Sequence, residues 1–319
     1  MRAATYHQDP RVRIRRTRWS HGLSMLLAAG TLMLLAAGAM VTSTGSSLAV
    51  PDWPLAYGEL FPPMVGGILY EHGHRLVAAS VGLVTLILAG WLAWAEERTW
   101  VKWMGAGAAV LVIVQGVLGG LTVIYLLPKP ISISHAITAH LFFLLVVVIS
   151  QVTDPGWKTW NSNARDANPK VVRMWATVSL VLILLELLAG ATMRHNSAGL
   201  AIPDWPLAYG GLLPPLSSFP LVVHFVHRIL ALLVLVAVGG TLWVTLRGHK
   251  GVPLLVRPAV AMGVLLIVQG MLGGATILTR LSVLFTTLHL VNGALLLGTT
   301  GILIVRAYRL EWGGDRGGG

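Results

Sequence analysis

PDWPLAYG occupies residues 51–58, and the same eight letters return at 203–210. A phrase repeated whole within one chain signals an internal duplication, so the first question is how far the match runs on either side. GAMVTSTGSSLAVPDWPLAYGELFPP (38–63) aligns with GATMRHNSAGLAIPDWPLAYGGLLPP (190–215), and EHGHR (71–75) aligns with HFVHR (224–228). Further on, LVIVQGVLGG (111–120) answers LLIVQGMLGG (265–274), and His140 is read as the counterpart of His289. The register between the copies drifts by only a few residues.

The sequence around these phrases is written for lipid. Of 319 residues, 55% are hydrophobic and 11% charged, and the apolar residues fall in runs long enough to cross a bilayer core of about 30 Å as helices. Eight spans are expected near 20–42, 72–95, 103–126, 132–152, 172–193, 221–246, 256–279 and 282–307. Only helices or closed barrels satisfy their backbone groups in hydrocarbon, and these runs are too long and continuous for barrel strands. The expected fold is an all-α polytopic membrane protein whose eight transmembrane helices form two tandem, parallel four-helix bundles. They are parallel because each repeat has an even number of spans, so the second enters the membrane in the direction of the first. The chain divides into a basic N-terminal arm (1–19), a first four-helix half (20–153), a linker (154–171), a second four-helix half (172–307) and a tail (308–319).

The net charge of +11 does not point to nucleic acid, because the basic residues sort by side. The N-terminus, the even-numbered connections and the C-terminus hold all but five of the 23 lysines and arginines. The exceptions are Lys129, Arg194 and Arg280 in the opposite loops, and Arg75 and Arg228 just inside helices. The positive-inside rule then sets both termini in the cytoplasm of a cell-membrane protein and both PDWPLAYG loops outside. The first apolar run, from about Gly22, is too long for a signal-peptide core and serves the repeat as its first helix. There is no cysteine, which excludes disulfides, iron–sulfur clusters and thiolate ligation and leaves 11 histidines as the main candidate metal ligands.

Ionisable residues inside spans default to functional hypotheses. Four histidines recur across the repeat: His74 and His140 in the first half, His227 and His289 in the second. Two imidazoles on different helices, with no thiol or carboxylate cluster, suit axial ligation of a heme better than a zinc site. His135 takes Leu284 as its approximate counterpart and is a minor suspect, while His72 lies about 200° around the helix from His74. His7, His21, His195 and His249 fall at ends or loops. Arg75 and Arg228 follow their histidines, either pairing with porphyrin propionates or reaching for the interface. Glu71 shares a helical face with His74, where a carboxylate in a dry site would serve as a proton donor or acceptor; its counterpart is His224. Glu186 aligns with Leu34 and has no twin. Gln115 and Gln269, each before a glycine, read as helix-bridging packing residues. The PDWPLAYG loops read as stiff lids, with Trp53 and Trp205 at the interface and Asp52 and Asp204 capping a short surface helix.

The ExxHR form of Glu71, His74 and Arg75, the matching His227-Arg228, the later His140 and His289, and the tandem halves with a glycine and then PDWP in each outer loop together resemble the heme A synthase family. The likeness covers roughly residues 20–307. It implies heme b held by His227 and His289 in the second half, with Arg75 and Arg228 near the porphyrins, and heme O received as substrate by His74 and His140 in the first. Glu71 would be the acid/base residue at the C8 methyl, oxidised by successive hydroxylations to the formyl group for cytochrome oxidase assembly. The implied partners are heme O, a heme O synthase, an electron-transfer protein and membrane lipid, with a homo-oligomeric state left open. Many bacterial members have a cysteine pair flanking DWP; here Val50 and Ala56, then Ile202 and Ala208, stand in those places. Two other classes remain open: a di-heme b-type cytochrome that only transfers electrons, and a heme-handling transporter or scaffold.

Overall fold

A computed structural model describes residues 10–158, 160 and 169–314. His7, Arg2, Arg165 and Arg316, with half of the linker, lie outside the described residues. Eight long helices make up the described residues: α1 Pro10–Ser43, α2 Gly66–Ala95, α3 Thr99–Ile124, α4 Lys129–Val152, α5 Lys170–His195, α6 Phe219–Gly248, α7 Pro253–Leu278 and α8 Val283–Gly314, with one 3₁₀ turn at Pro155–Lys158. All eight contain a stretch long and apolar enough to cross a membrane, as expected for a polytopic membrane protein. Helices begin where the sequence supplies a proline in the first turn, as at Pro130, Pro220 and Pro253, because that position needs no N–H donor. They stop where polar residues or left-handed backbone cluster, as at Gly45 after α1, whose φ is +68°.

In the first half α1 packs on α2 and α4, and α3 packs on both α2 and α4; α5 to α8 repeat this ring. The halves meet through α1, α4, α5 and α8. In lipid no hydrophobic drive brings helices together, so close packing at small residues must do it. Gly298 and Gly301 of α8 supply that contact. A Cβ at Gly298 would lie 3.0 Å from Phe143 of α4, and one at Gly301 would overlap Leu144. Leu35, Phe143, Val147 and Ala294 form the buried seam between the halves.

Polar ties fasten both ends of that seam. At one end Arg194 Nη2 donates to the Ala39 carbonyl at 2.8 Å and the Ser43 hydroxyl at 2.7 Å. At the other, Arg306 Nε donates to Gln151 Oε1 at 3.1 Å and Arg309 Nε to the Trp157 carbonyl at 3.0 Å. Enclosed in low dielectric, such bonds fix the register of the halves more than apolar packing alone does.

Candidate functional site

The two outer loops fold alike, though not as capped helices. Asp52 accepts the amides of Tyr57 at 2.7 Å and Gly58 at 2.8 Å, and Asp204 accepts those of Tyr209 and Gly210, both at 2.8 Å. These bonds hold both carboxyls below the usual aspartate range, with the glycine amide the largest cause and the tyrosine amide next. Each aspartate thus closes a tight loop, because Tyr57, Gly58, Tyr209 and Gly210 have positive φ and turn the chain back. Tyr57 and Tyr209 tie the far side, donating to the Ala49 and Ala201 carbonyls at 2.7 Å. The Trp53–Pro54 and Trp205–Pro206 peptides are both cis.

The loops are held down by the arginines. Arg75 Nη1 donates to the carbonyls of Asp52 and Leu55, and Nη2 donates to Val50 O and Glu71 Oε1. Arg228 donates to the carbonyls of Leu207, Ile202 and Asp204 and lies 3.3 Å from His224 Nε2. Both η nitrogens of Arg75 are occupied by the loop carbonyls and Glu71, while Arg228 keeps one η N–H outside its loop.

Glu71 belongs to the same clamp. It is buried; Oε1 lies 2.6 Å from Arg75 Nη2 and Oε2 accepts the Val50 amide at 2.9 Å. His224 takes the corresponding place, its Nδ1 3.2 Å from the Ile202 amide and 3.1 Å from the Ala198 carbonyl. The difference between Glu71 and His224 is a change of side chain at one shared post, between the loop and the arginine. His72, on the other flank, bonds Leu60 O at 2.9 Å. Val50, Ala56, Ile202 and Ala208 are all buried beneath the loops.

Beneath the lids the rings fall into two pairs. His227 of α6 and His289 of α8 have centroids 6.5 Å apart, with planes inclined at 70°. In the first half it is His135, rather than His140, that lies within electrostatic reach of His74. The pairing of His140 with His289 is therefore corrected. His135 stands 20 residues beyond Gln115, as His289 stands 20 beyond Gln269. The turns between also match, with positive φ at Leu126 and Leu127 and at Arg280 and Leu281. A gap-free reading onward from VQG through this turn aligns the two rings, and an inserted gap misaligns them. His140 points elsewhere, its Nδ1 bonded to Ala136 O of its own helix at 2.8 Å.

Each ring of the quartet rests on a glycine of a neighbouring helix. A Cβ at Gly38 would lie 3.1 Å from Cε1 of His74, at Gly119 3.4 Å from His135, at Gly190 3.3 Å from His227 and at Gly273 3.2 Å from His289. At Gly38, Gly190 and Gly273 a Cβ would push the ring by a few tenths of an ångström, while at Gly119 it would just touch it. The next glycines seat the lids: a Cβ at Gly120 would come to 2.8 Å from Trp53, and at Gly274 to 3.0 Å from Trp205. LGG is thus one seat for a histidine and one for a tryptophan. The glutamines bridge helices, Gln115 Nε2 donating to the His135 carbonyl at 3.1 Å and Gln269 reaching His289 Nε2 at 3.4 Å while accepting from Asn292 at 2.6 Å.

In all four rings Nδ1 is enclosed without a hydrogen-bond partner, and of the four Nε2 atoms that of His289 has Gln269 at 3.4 Å. Among the described residues no three His, Cys, Asp or Glu side chains come together as a metal site. A two-histidine site with ring centroids 6.5 Å apart fits a metal held between them. Two metal–nitrogen bonds of about 2 Å, each with about 1 Å more to a ring centroid, span roughly that distance.

Comparison with known proteins agrees with this layout. The family COX15-CtaA, described as "Cytochrome oxidase assembly protein", matches residues 65–300. Proteins named heme A synthase are similar along much of their length. That of Symbiobacterium thermophilum is 31% identical over 70% of this chain and 75% of its own. That of Alkalihalophilus pseudofirmus is 30% identical over 66% and 71%, and that of Halalkalibacterium halodurans 29% over 82% and 92%. With its paired histidines seated beneath two glycine-anchored lids, the chain belongs to this cytochrome oxidase assembly family, among relatives named heme A synthase.

Proposed function

We propose that this protein is a heme A synthase, oxidising the C8 methyl of heme O to a formyl group. The observation that carries the reading is the pair of rings at 6.5 Å, His227 and His289, with His74 and His135 on the matching glycine seats in the half that bears Glu71. The first half receives heme O between His74 and His135. The second holds heme b between His227 and His289, which supplies one-electron transfer when bound. Both termini lie in the cytoplasm and both lids outside.

The chain's own residues orient and enclose. Gly38 and Gly119 admit the two imidazoles, and Trp53 closes over them and excludes water, so that a reactive carbon is held in a dry site. Glu71 holds the lid through Val50 and Arg75, and because each carboxylate oxygen keeps a further lone pair, the same residue would serve as proton acceptor at the methyl position beneath the shut lid. The substrate methyl would pass through hydroxymethyl and a geminal diol, which loses water to give the formyl group; the four electrons and the inserted oxygen require an external oxidant, such as dioxygen, besides the chain's own residues.

Expression with a heme O synthase in a host lacking heme A, followed by chromatography and mass spectrometry of extracted hemes, tests the reading. Heme A or its hydroxylated precursor should form in wild type and in His140→Ala, and vanish in His74→Ala and His135→Ala. Abundant heme b with unaltered heme O in aerated wild-type cells would instead favour the electron-transfer cytochrome.

A further inference from the structure

The second half has one polar contact that the first half lacks. Glu186 of α5 brings Oε1 to 3.1 Å from Nδ1 of His227. Its Oε2 and the His227 Nδ1 are both enclosed with no hydrogen-bond partner, so the contact is close but off the line of the N–H. Leu34 holds the matching place in α1, four residues before Gly38 as Glu186 is four before Gly190. At this post His74 meets only the main-chain carbonyl of Leu34, whereas His227 meets the main-chain carbonyl of Glu186 and its side-chain carboxyl besides. Gly190 allows the approach, because its missing side chain lets the ring lie against α5.

We infer that Glu186 is a positioning residue for His227, fixing its proton on Nδ1 and making Nε2 the stronger donor, so that the two porphyrin sites are unequal by construction. The inference rests on the heme reading above. A metal takes the Nε2 lone pair only from the tautomer that carries its proton on Nδ1. An acceptor at Nδ1 selects that tautomer and raises ligand basicity. Turning the Glu186 carboxyl onto the line of the N–H would complete the bond, and hydrogen bonds of this kind tighten when a site is loaded. A more basic axial imidazole favours the ferric over the ferrous state. The second-half iron should therefore hold its oxidised form more firmly than it would beside a leucine.

The test uses the full-length protein purified in a His74→Ala background, so that the remaining heme belongs to the second half. Redox titration followed optically, with electron paramagnetic resonance of the ferric state, compares the parent with Glu186→Leu and Glu186→Gln. In Glu186→Leu the ratio of reduced to oxidised heme at a fixed potential should rise about tenfold, about 59 mV for one electron. Glu186→Gln, which keeps a neutral acceptor, should shift in the same direction by less. If Glu186→Leu sheds its heme, Glu186→Gln decides alone. A parental midpoint and unchanged ferric spectrum in the heme-loaded variants would overturn the inference, since a merely structural carboxylate would alter unfolding but leave the potential in place. A parent with no bound heme would overturn the heme reading itself, a result distinct from an unshifted midpoint.

Discussion

Replacing Glu71 by leucine should loosen the first lid without unfolding the bundle. The substitution removes the acceptor of the Val50 amide, on a residue with no exposed surface, and the carboxylate 2.6 Å from Arg75. An enclosed N–H left without an acceptor costs about 1–3 kcal/mol, and a hydrogen bond to a charged group contributes about 1.5–3 kcal/mol. Arg75 keeps three carbonyl acceptors, so part of the second cost is recovered, and about 3 kcal/mol remains. That is on the order of a hundredfold in the equilibrium between shut and lifted lid. Hydrogen–deuterium exchange of peptides covering residues 47–60 reads it directly, with the Val50, Tyr57 and Gly58 amides exchanging about a hundredfold faster. Glu71→His should recover much of the protection, because His224 already fills this post in the second half, yet should yield no heme A. Exchange in Glu71→Leu within threefold of wild type would refute the clamp.

Other parts of the structure give independent tests. Gly120→Ala brings a Cβ to 2.8 Å from Trp53, so it should displace the indole, cost about 1–3 kcal/mol and shift tryptophan emission, while Gly116→Ala, with open space around it, should do neither. Asp52 and Asp204 have folded pKa values below their unfolded ones. The stability they add is therefore fully present above the ordinary aspartate range and is lost as pH falls through the depressed folded value. The lid's protection factor, taken against the intrinsic exchange rate at each pH, should stay flat down to the aspartate range and fall below it, and Asp52→Asn should flatten that acid limb for the first lid. Arg194→Met removes the bonds to Ala39 and Ser43 and should lower stability by about 1–2 kcal/mol in thermal unfolding of the detergent-solubilised protein, with Ser43→Ala costing less.

The helices were legible because their signal is long and redundant: each apolar run is fixed by twenty or so residues together. Helix ends were less so, and α2 and α6 both begin earlier than hydropathy alone suggests, at Gly66 and Phe219. His74, His227 and His289 could be found because short anchored motifs carry them. His135 was misjudged because the segment between VQG and the ring conserves backbone shape more than letters: LLP and RLS make the same turn with unlike side chains. The loop clasp was hidden for a different reason. Asp52 bonds amides five and six residues ahead, a pattern that no helix-cap rule describes. Glu71 was legible as a charge inside a span, but only the folded loop reveals the Val50 amide and the Arg75 guanidinium that balance it.

The most direct test of the account is the heme content per chain, with the ferric resonance spectrum, of wild type, His135→Ala and His140→Ala purified after co-expression with a heme O synthase. The account predicts that His135→Ala loses the first-half bis-histidine signal and half of the heme, while His140→Ala keeps both. Loss in His140→Ala with retention in His135→Ala would contradict the pairing of His74 with His135, and with it the two-site geometry on which the function rests.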